Sequence, residues 1–165
     1  TEGVRKQEQL RKVKLDTVAM AQNVISKQMM AQILIMGLWL TVVSFVYLKA
    51  PFFKNLFGSE EQHLTGYFVL FIISALFNGF NVRDDGFGIF KGLDENTGFL
   101  KVFFGIILVQ AAIVNAALVP LAPFKVIGEM FSCVPFGIKG WIAVIILGAT
   151  MIPVDMLRKL ITKSK

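Results

Sequence analysis

The sequence predicts an all-α membrane protein: a four-transmembrane-helix bundle preceded by an amphipathic N-terminal helix. Three observations carry this. Hydrophobic residues make up 55% of the 165-residue chain and charged residues only 17%. Mean hydropathy is +0.67, beyond what a chain this short could hide from water in a soluble core. The apolar residues also fall into four runs, each near the roughly 20 residues a helix needs to cross about 30 Å of hydrocarbon.

Residues 1–28 form a basic juxtamembrane segment. Leu10, Val13, Thr17, Met20 and Val24 recur at three- and four-residue steps, which is helical periodicity. Basic residues fill much of the rest, so the segment reads either as a helix lying on the inner leaflet or as a solvated tail. The first run is 29–48, "MMAQILIMGLWLTVVSFVYL"; the second is 64–82, "LTGYFVLFIISALFNGFNV". The third is 102–124 and carries Pro120 and Pro123 near its end. The fourth is 141–157, "WIAVIILGATMIPVDML". Helices suit all four, because lipid offers no partner for free backbone groups. The spans lie within a transmembrane domain, 29–160, followed by a short tail, 161–165.

Orientation follows from Lys and Arg. Arg5, Lys6, Arg11, Lys12, Lys14 and Lys27 precede the first run. Arg83, Lys91 and Lys101 lie between the second and third, and Arg158, Lys159, Lys163 and Lys165 end the chain. With both termini cytoplasmic, 13 of the 17 basic residues are inside; with both outside, the inside holds only Lys49, Lys54, Lys125 and Lys139. The first arrangement is expected. Tyr47, Tyr67 and Trp141 then mark outer interfaces. The net charge of +6 flanks the apolar runs and fits anionic lipid headgroups, not nucleic acid.

Polar residues inside the runs are the candidates for function. Ser74, Asn78 and Asn81 share one helical face, which an amide in hydrocarbon must turn toward the bundle. Their spacing favours interhelical contact over an ion path. Ala75 and Gly79 leave room for a close neighbour. Arg83, Asp84 and Asp85 end the second run and hold its depth. Gln110 and Asn115 read as packing contacts. Pro153 should bend the fourth helix near Ala149, and Asp155 can pair with Arg158 three residues on. In the loop from Arg83 to Gly98, Ile89, Phe90 and Leu93 are placed to dip into the headgroups. His63 reads as solvated. Cys133, alone, reads as an unreactive loop residue. No paired catalytic groups, metal cluster or nucleotide loop appears.

"FNGFNVR" (77–83) resembles the end of the eighth transmembrane helix of P-type calcium pumps. "ISKQMMAQIL" (25–34) is similar to the start of the seventh. "IFKGLDENTGFLKVFFGIILVQ" (89–110) resembles the cytoplasmic link and ninth helix, and "GWIAVIILGATMIPVDMLRKL" (140–160) the tenth. The resemblance implies the C-terminal support bundle, helices seven to ten, of a plasma-membrane calcium-transporting ATPase, with this chain a piece of a larger protein. ATP, Mg²⁺ and Ca²⁺ would be handled by cytoplasmic domains and other helices of the parent pump, and no cofactor or catalytic residue is implied in this chain. Two-site pumps of the reticulum type carry a glutamate three residues before the first asparagine; here that position is Ala75, which implies one ion site. Ser74 and Asn78 remain candidates to support an ion path from behind its ligands. Asn78, Asn81, Arg83, Asp155 and Arg158 are carried over as structural polar residues. A stretch without the family's pattern, 1–22, precedes the match. The alternative reading is a small stand-alone four-span regulator or channel-like subunit.

Overall fold

The computed structural model describes residues 2–83 and 86–163, with side chains other than those of 22–26 and 163. Among the described residues the protein is helical with no strand. In order, α1 is Glu2–Lys49, α2 Pro51–Lys54, α3 Glu60–Arg83, α4 Thr97–Asn115, α5 Ala122–Phe131, α6 Ile138–Ala149 and α7 Met151–Lys163. A 3-10 turn, Ala116–Leu118, extends α4. Four stretches are long and apolar enough to cross a membrane: Lys27–Lys49, Glu60–Arg83, Thr97–Leu118 and Ile138–Thr162. The protein is thus an integral, multi-pass membrane protein.

The chain divides into two compact units, Thr1–Ile35 and Met36–Lys165. Within the first, Leu10, Val13 and Met20 are all exposed, as are Leu15 and Val18 between them. Val24, the last member of the expected face, lies among the side chains outside the description.

The second unit is organised around α3. It faces α6 and α7, and α4 flanks it. The core joins Val43 and Tyr47 of α1 to Val69, Leu70 and Ile73 of α3, Val114 of α4 and Val144 of α6. Gly148 lets α6 approach closely. A Cβ there would sit 2.6 Å from Ile73 Cγ2 and 3.3 Å from the Ser74 backbone nitrogen. Small residues bring membrane helices together in this way. The sequence pointed to Ala75 and Gly79 for this contact. Ala75 is instead exposed, and Gly79 packs only against the Phe99 ring.

The third apolar run is divided. α4 with its 3-10 turn ends at Leu118, not Phe124, and α5 follows as a separate helix. Pro120 lacks the N–H that would continue the ladder and pushes the residue before it out of helical space. Val119 is extended accordingly, at φ −89° and ψ 118°. α5 closes at Ser132 in the left-handed region, φ 50°, with the Cys133 N–H donating back to the Gly128 carbonyl, 3.3 Å. Cys133 is buried there, and burial pushes its thiol pKa up. That is the unreactive setting for a cysteine.

The fourth run is interrupted four residues before Pro153, where the missing N–H would have bonded. α6 stops at Ala149 and α7 starts at Met151. Pro153 thus falls in the first turn of α7, where a missing N–H costs little.

Two further expectations are corrected. His63 is 5% exposed and not solvated. Its ring stacks on Tyr47 at 4.6 Å. Tyr47 Oη donates to the His63 carbonyl, 2.9 Å, and His63 Nε2 lies 3.1 Å from the Tyr47 carbonyl. That carbonyl belongs to the last turn of α1, where helical partners run out. Tyr47 is therefore a core residue, fully buried. Likewise Ile89 is 1% exposed and turns inward, its carbonyl accepting from Arg83 Nη1 at 3.2 Å. Phe90 remains exposed.

Candidate functional site: a polar cluster where α3 meets α7

The buried polar residues converge at the Arg83 end of α3. Asn81 is 2% exposed, Asp155 0% and Lys159 2%. Asp155 sits one turn before Arg158 and Lys159, so α7 presents all three together. Arg158 Nε lies 2.6 Å from Asp155 Oδ1, and Lys159 Nζ lies 3.0 Å from Asp155 Oδ2. One carboxylate thus holds two cations.

α3 supplies the rest. Lys159 Nζ donates to the Asn81 carbonyl, 3.2 Å. That carbonyl is in the last turn of α3, where a cation meets the negative end of the helix dipole. The Asn81 side chain faces the other way along α7. Its Nδ2 donates to the Met151 carbonyl, 2.9 Å, and to Asn78 Oδ1, 3.2 Å. Asn81 therefore joins the start of α7 with its side chain and the charged turn with its backbone.

Between α6 and α7, Thr150 turns the chain. Trp39 Nε1 donates to Thr150 Oγ1, 3.0 Å, so a side chain of the first span holds the joint of the fourth. Trp39→Phe keeps the ring and loses this donor. It is expected to cost roughly 0.6–2 kcal/mol, the range for interhelical hydrogen bonds in membranes, read by denaturant titration in micelles.

Of the other candidates, Ser74 is buried against α6, its hydroxyl without a hydrogen bond. Asn78 is taken up by Asn81. Arg83 lies 4.9 Å over the Phe99 ring, within a cluster of Phe80, Phe99 and Phe103 in edge-to-face contact. Asp84 and Asp85 lie outside the described residues. Asn115 bonds back to Ala111 of its own helix, 2.8 Å. Gln110 is buried with Nε2 unpartnered. Among the described residues no group of three or more His, Cys, Asp or Glu is placed to hold a metal. Lys159 and Thr150 are the participants that sequence reading missed. Lys159 passes for part of a basic tail, although its i+4 spacing from Asp155 was a visible signal.

A family model described as "Cation transporting ATPase, C-terminus" matches residues 14–161. The chain belongs to this family. A curated relative, the plasma membrane calcium-transporting ATPase mca-1 of Caenorhabditis elegans, is 27% identical over 138 residues, which cover 77% of this chain. The chain spans about 10% of that relative's length. No solved structure matches it. The family match begins at Lys14 and so takes in 14–22, part of the stretch in which no family pattern is visible by motif. In this cation-ATPase C-terminus the charged cluster ties one membrane helix to another, and its acid is occupied by two cations.

Proposed function

We propose that this chain is the C-terminal membrane support of an ATP-driven calcium pump of the plasma-membrane type. It braces the helices that bind and release the ion and holds no ion itself. The observation that carries the reading is the state of Asp155. A hard cation needs oxygen ligands, and both Asp155 oxygens face basic nitrogens instead. Family membership and the similarity to a calcium-transporting relative support this choice of reaction and ion. ATP hydrolysis, Mg²⁺ and the transported Ca²⁺ belong to parts of the pump outside these residues. On this reading the remaining helices and cytoplasmic domains are the partners, together with the bilayer. Both termini face the cytoplasm, as the Lys and Arg distribution requires.

Ala75 sharpens the expectation. It is exposed on α3, on a side open to other helices of the pump, and a methyl group offers no ligand. An intact pump containing this region, reconstituted in sealed vesicles, is expected to move one calcium ion per ATP. Two ions per ATP would overturn the one-site assignment. Failure of Asp155→Asn to alter transport at all would overturn the bracing role.

A further inference from the structure

α3 packs against α4, α6 and α7, yet one apolar stripe of it stays exposed. Leu64, Phe71, Ala75 and Val82 are exposed along this stripe, at the spacing of one helical face. Beside it, α3 and α4 enclose a groove of about 480 Å³. Phe68 and Ile72 line the groove from α3, and Val102, Ile106, Val109 and Ile113 line it from α4. Among the described residues that line it, only Gln110 has a polar side chain. Gln110 is 3% exposed, and its Nε2 has no hydrogen-bond partner.

We propose that this groove seats one further membrane helix, supplied from outside residues 1–165, which presents an oxygen acceptor to Gln110 Nε2. A bilayer does not leave such a groove empty, so either acyl chains or side chains fill it. Depth decides between them. Gln110 lies eight residues before Leu118, the nearer end of its span, which places it about 12 Å inside at 1.5 Å per residue. Lipid ester and headgroup oxygens stay in the polar regions outside the hydrocarbon. An acyl chain in the groove would therefore leave the Gln110 donor unmet, and an unmet donor in hydrocarbon is costly. Another helix does carry acceptors at that depth: a Ser or Thr hydroxyl, an amide side chain, or a carbonyl freed by a break. The walls suit a helix as well. Val102, Ile106, Val109 and Ile113 recur at four- and three-residue steps, a ridge with which a facing helix can interlock. The exposed stripe of α3 continues this surface, so the incoming helix has two helices to lie against. The pump reading enters only through the source of that helix. On that reading it is one of the remaining membrane helices of the same polypeptide.

The test places a photoreactive benzoylphenylalanine at Val109 of the full-length protein in its own membrane, and at Phe104 as the control. Both positions are exposed. Val109 lines the groove, and Phe104 lies on the opposite side of α4. After irradiation the adducts are identified by peptide mass. The Val109 probe is expected to attach to a membrane-helix peptide from outside residues 1–165, and the Phe104 probe to lipid. An adduct with a helix of a different polypeptide would keep the docking face and overturn the pump reading. Lipid adducts alone at Val109, attachment to a second copy of this chain, or equal helix capture at Phe104 would each overturn the proposal. Gln110→Met in the same full-length protein tests the hydrogen bond. Replacing an unpartnered donor by an apolar side chain is neutral or stabilising, whereas removing one half of a bond strands the other half. The thermal unfolding midpoint is therefore expected to fall. An unchanged or higher midpoint overturns the bond to the incoming helix.

Discussion

Asp155→Asn is expected to destabilise the bundle by roughly 3 kcal/mol, the lower end of the cost of breaking a buried ion pair from one side. The side chain keeps its size, so lost packing contributes little. What changes is the company of Arg158 and Lys159, buried cations that lose the carboxylate both of them approach. Lys159 keeps its bond to the Asn81 carbonyl, which keeps the loss near the lower bound. Replacing the acid and one base together separates the two effects. Asp155→Asn with Lys159→Met should be markedly more stable than Asp155→Asn alone, because a buried cation has been removed together with the acid that it approaches. The check is a double-mutant cycle on unfolding in mixed micelles, monitored by helicity and by Trp39 emission. A cycle with zero coupling would mean that the 3.0 Å approach of Lys159 to Asp155 carries no energy.

Gly148→Leu is expected to have the second large effect. Even a methyl at this position meets Ile73 Cγ2 at 2.6 Å, and that side chain could turn away. The Ser74 backbone nitrogen at 3.3 Å cannot. A leucine must therefore force α6 and α3 apart. Overpacking typically costs about 1–3 kcal/mol, occasionally more. Backbone on one side places this substitution at or above the top of that range. Gly105→Leu is the matched control, since a Cβ at Gly105 meets nothing within 4 Å. The pair, compared by thermal aggregation in detergent, should differ widely although both add the same side chain to a membrane helix.

The four spans were legible because lipid imposes one requirement on every crossing helix, about 20 apolar residues with internal backbone bonds. The break before Pro153 was legible for a similar reason: a missing N–H acts locally. Pro120 carried the same signal, but the apolar residues beyond it masked the break, and α5 was read as the tail of the span. What could not be read were pairings set by helix packing. Tyr47 and His63 meet across 16 positions, and nothing in either local sequence announces the other. The spacing of Ser74, Asn78 and Asn81 showed a shared face, not that Asn81 would reach Met151 while Ser74 packs beside Gly148. The Asp155–Arg158 spacing was visible, but Lys159 gains its importance only from the α3 carbonyl placed against it.

The central claim is that these helices cross a membrane four times, with their polar groups spent on one another. Single cysteines at Ser59, Lys91 and Ser132, in the Cys133→Ala background, probe it most directly with a membrane-impermeant maleimide on sealed right-side-out vesicles. The account predicts labelling at Ser59 and Ser132 from outside, and at Lys91 only after the vesicles are opened. Labelling of Ser59 and Lys91 from the same side would contradict it, since α3 would then fail to cross.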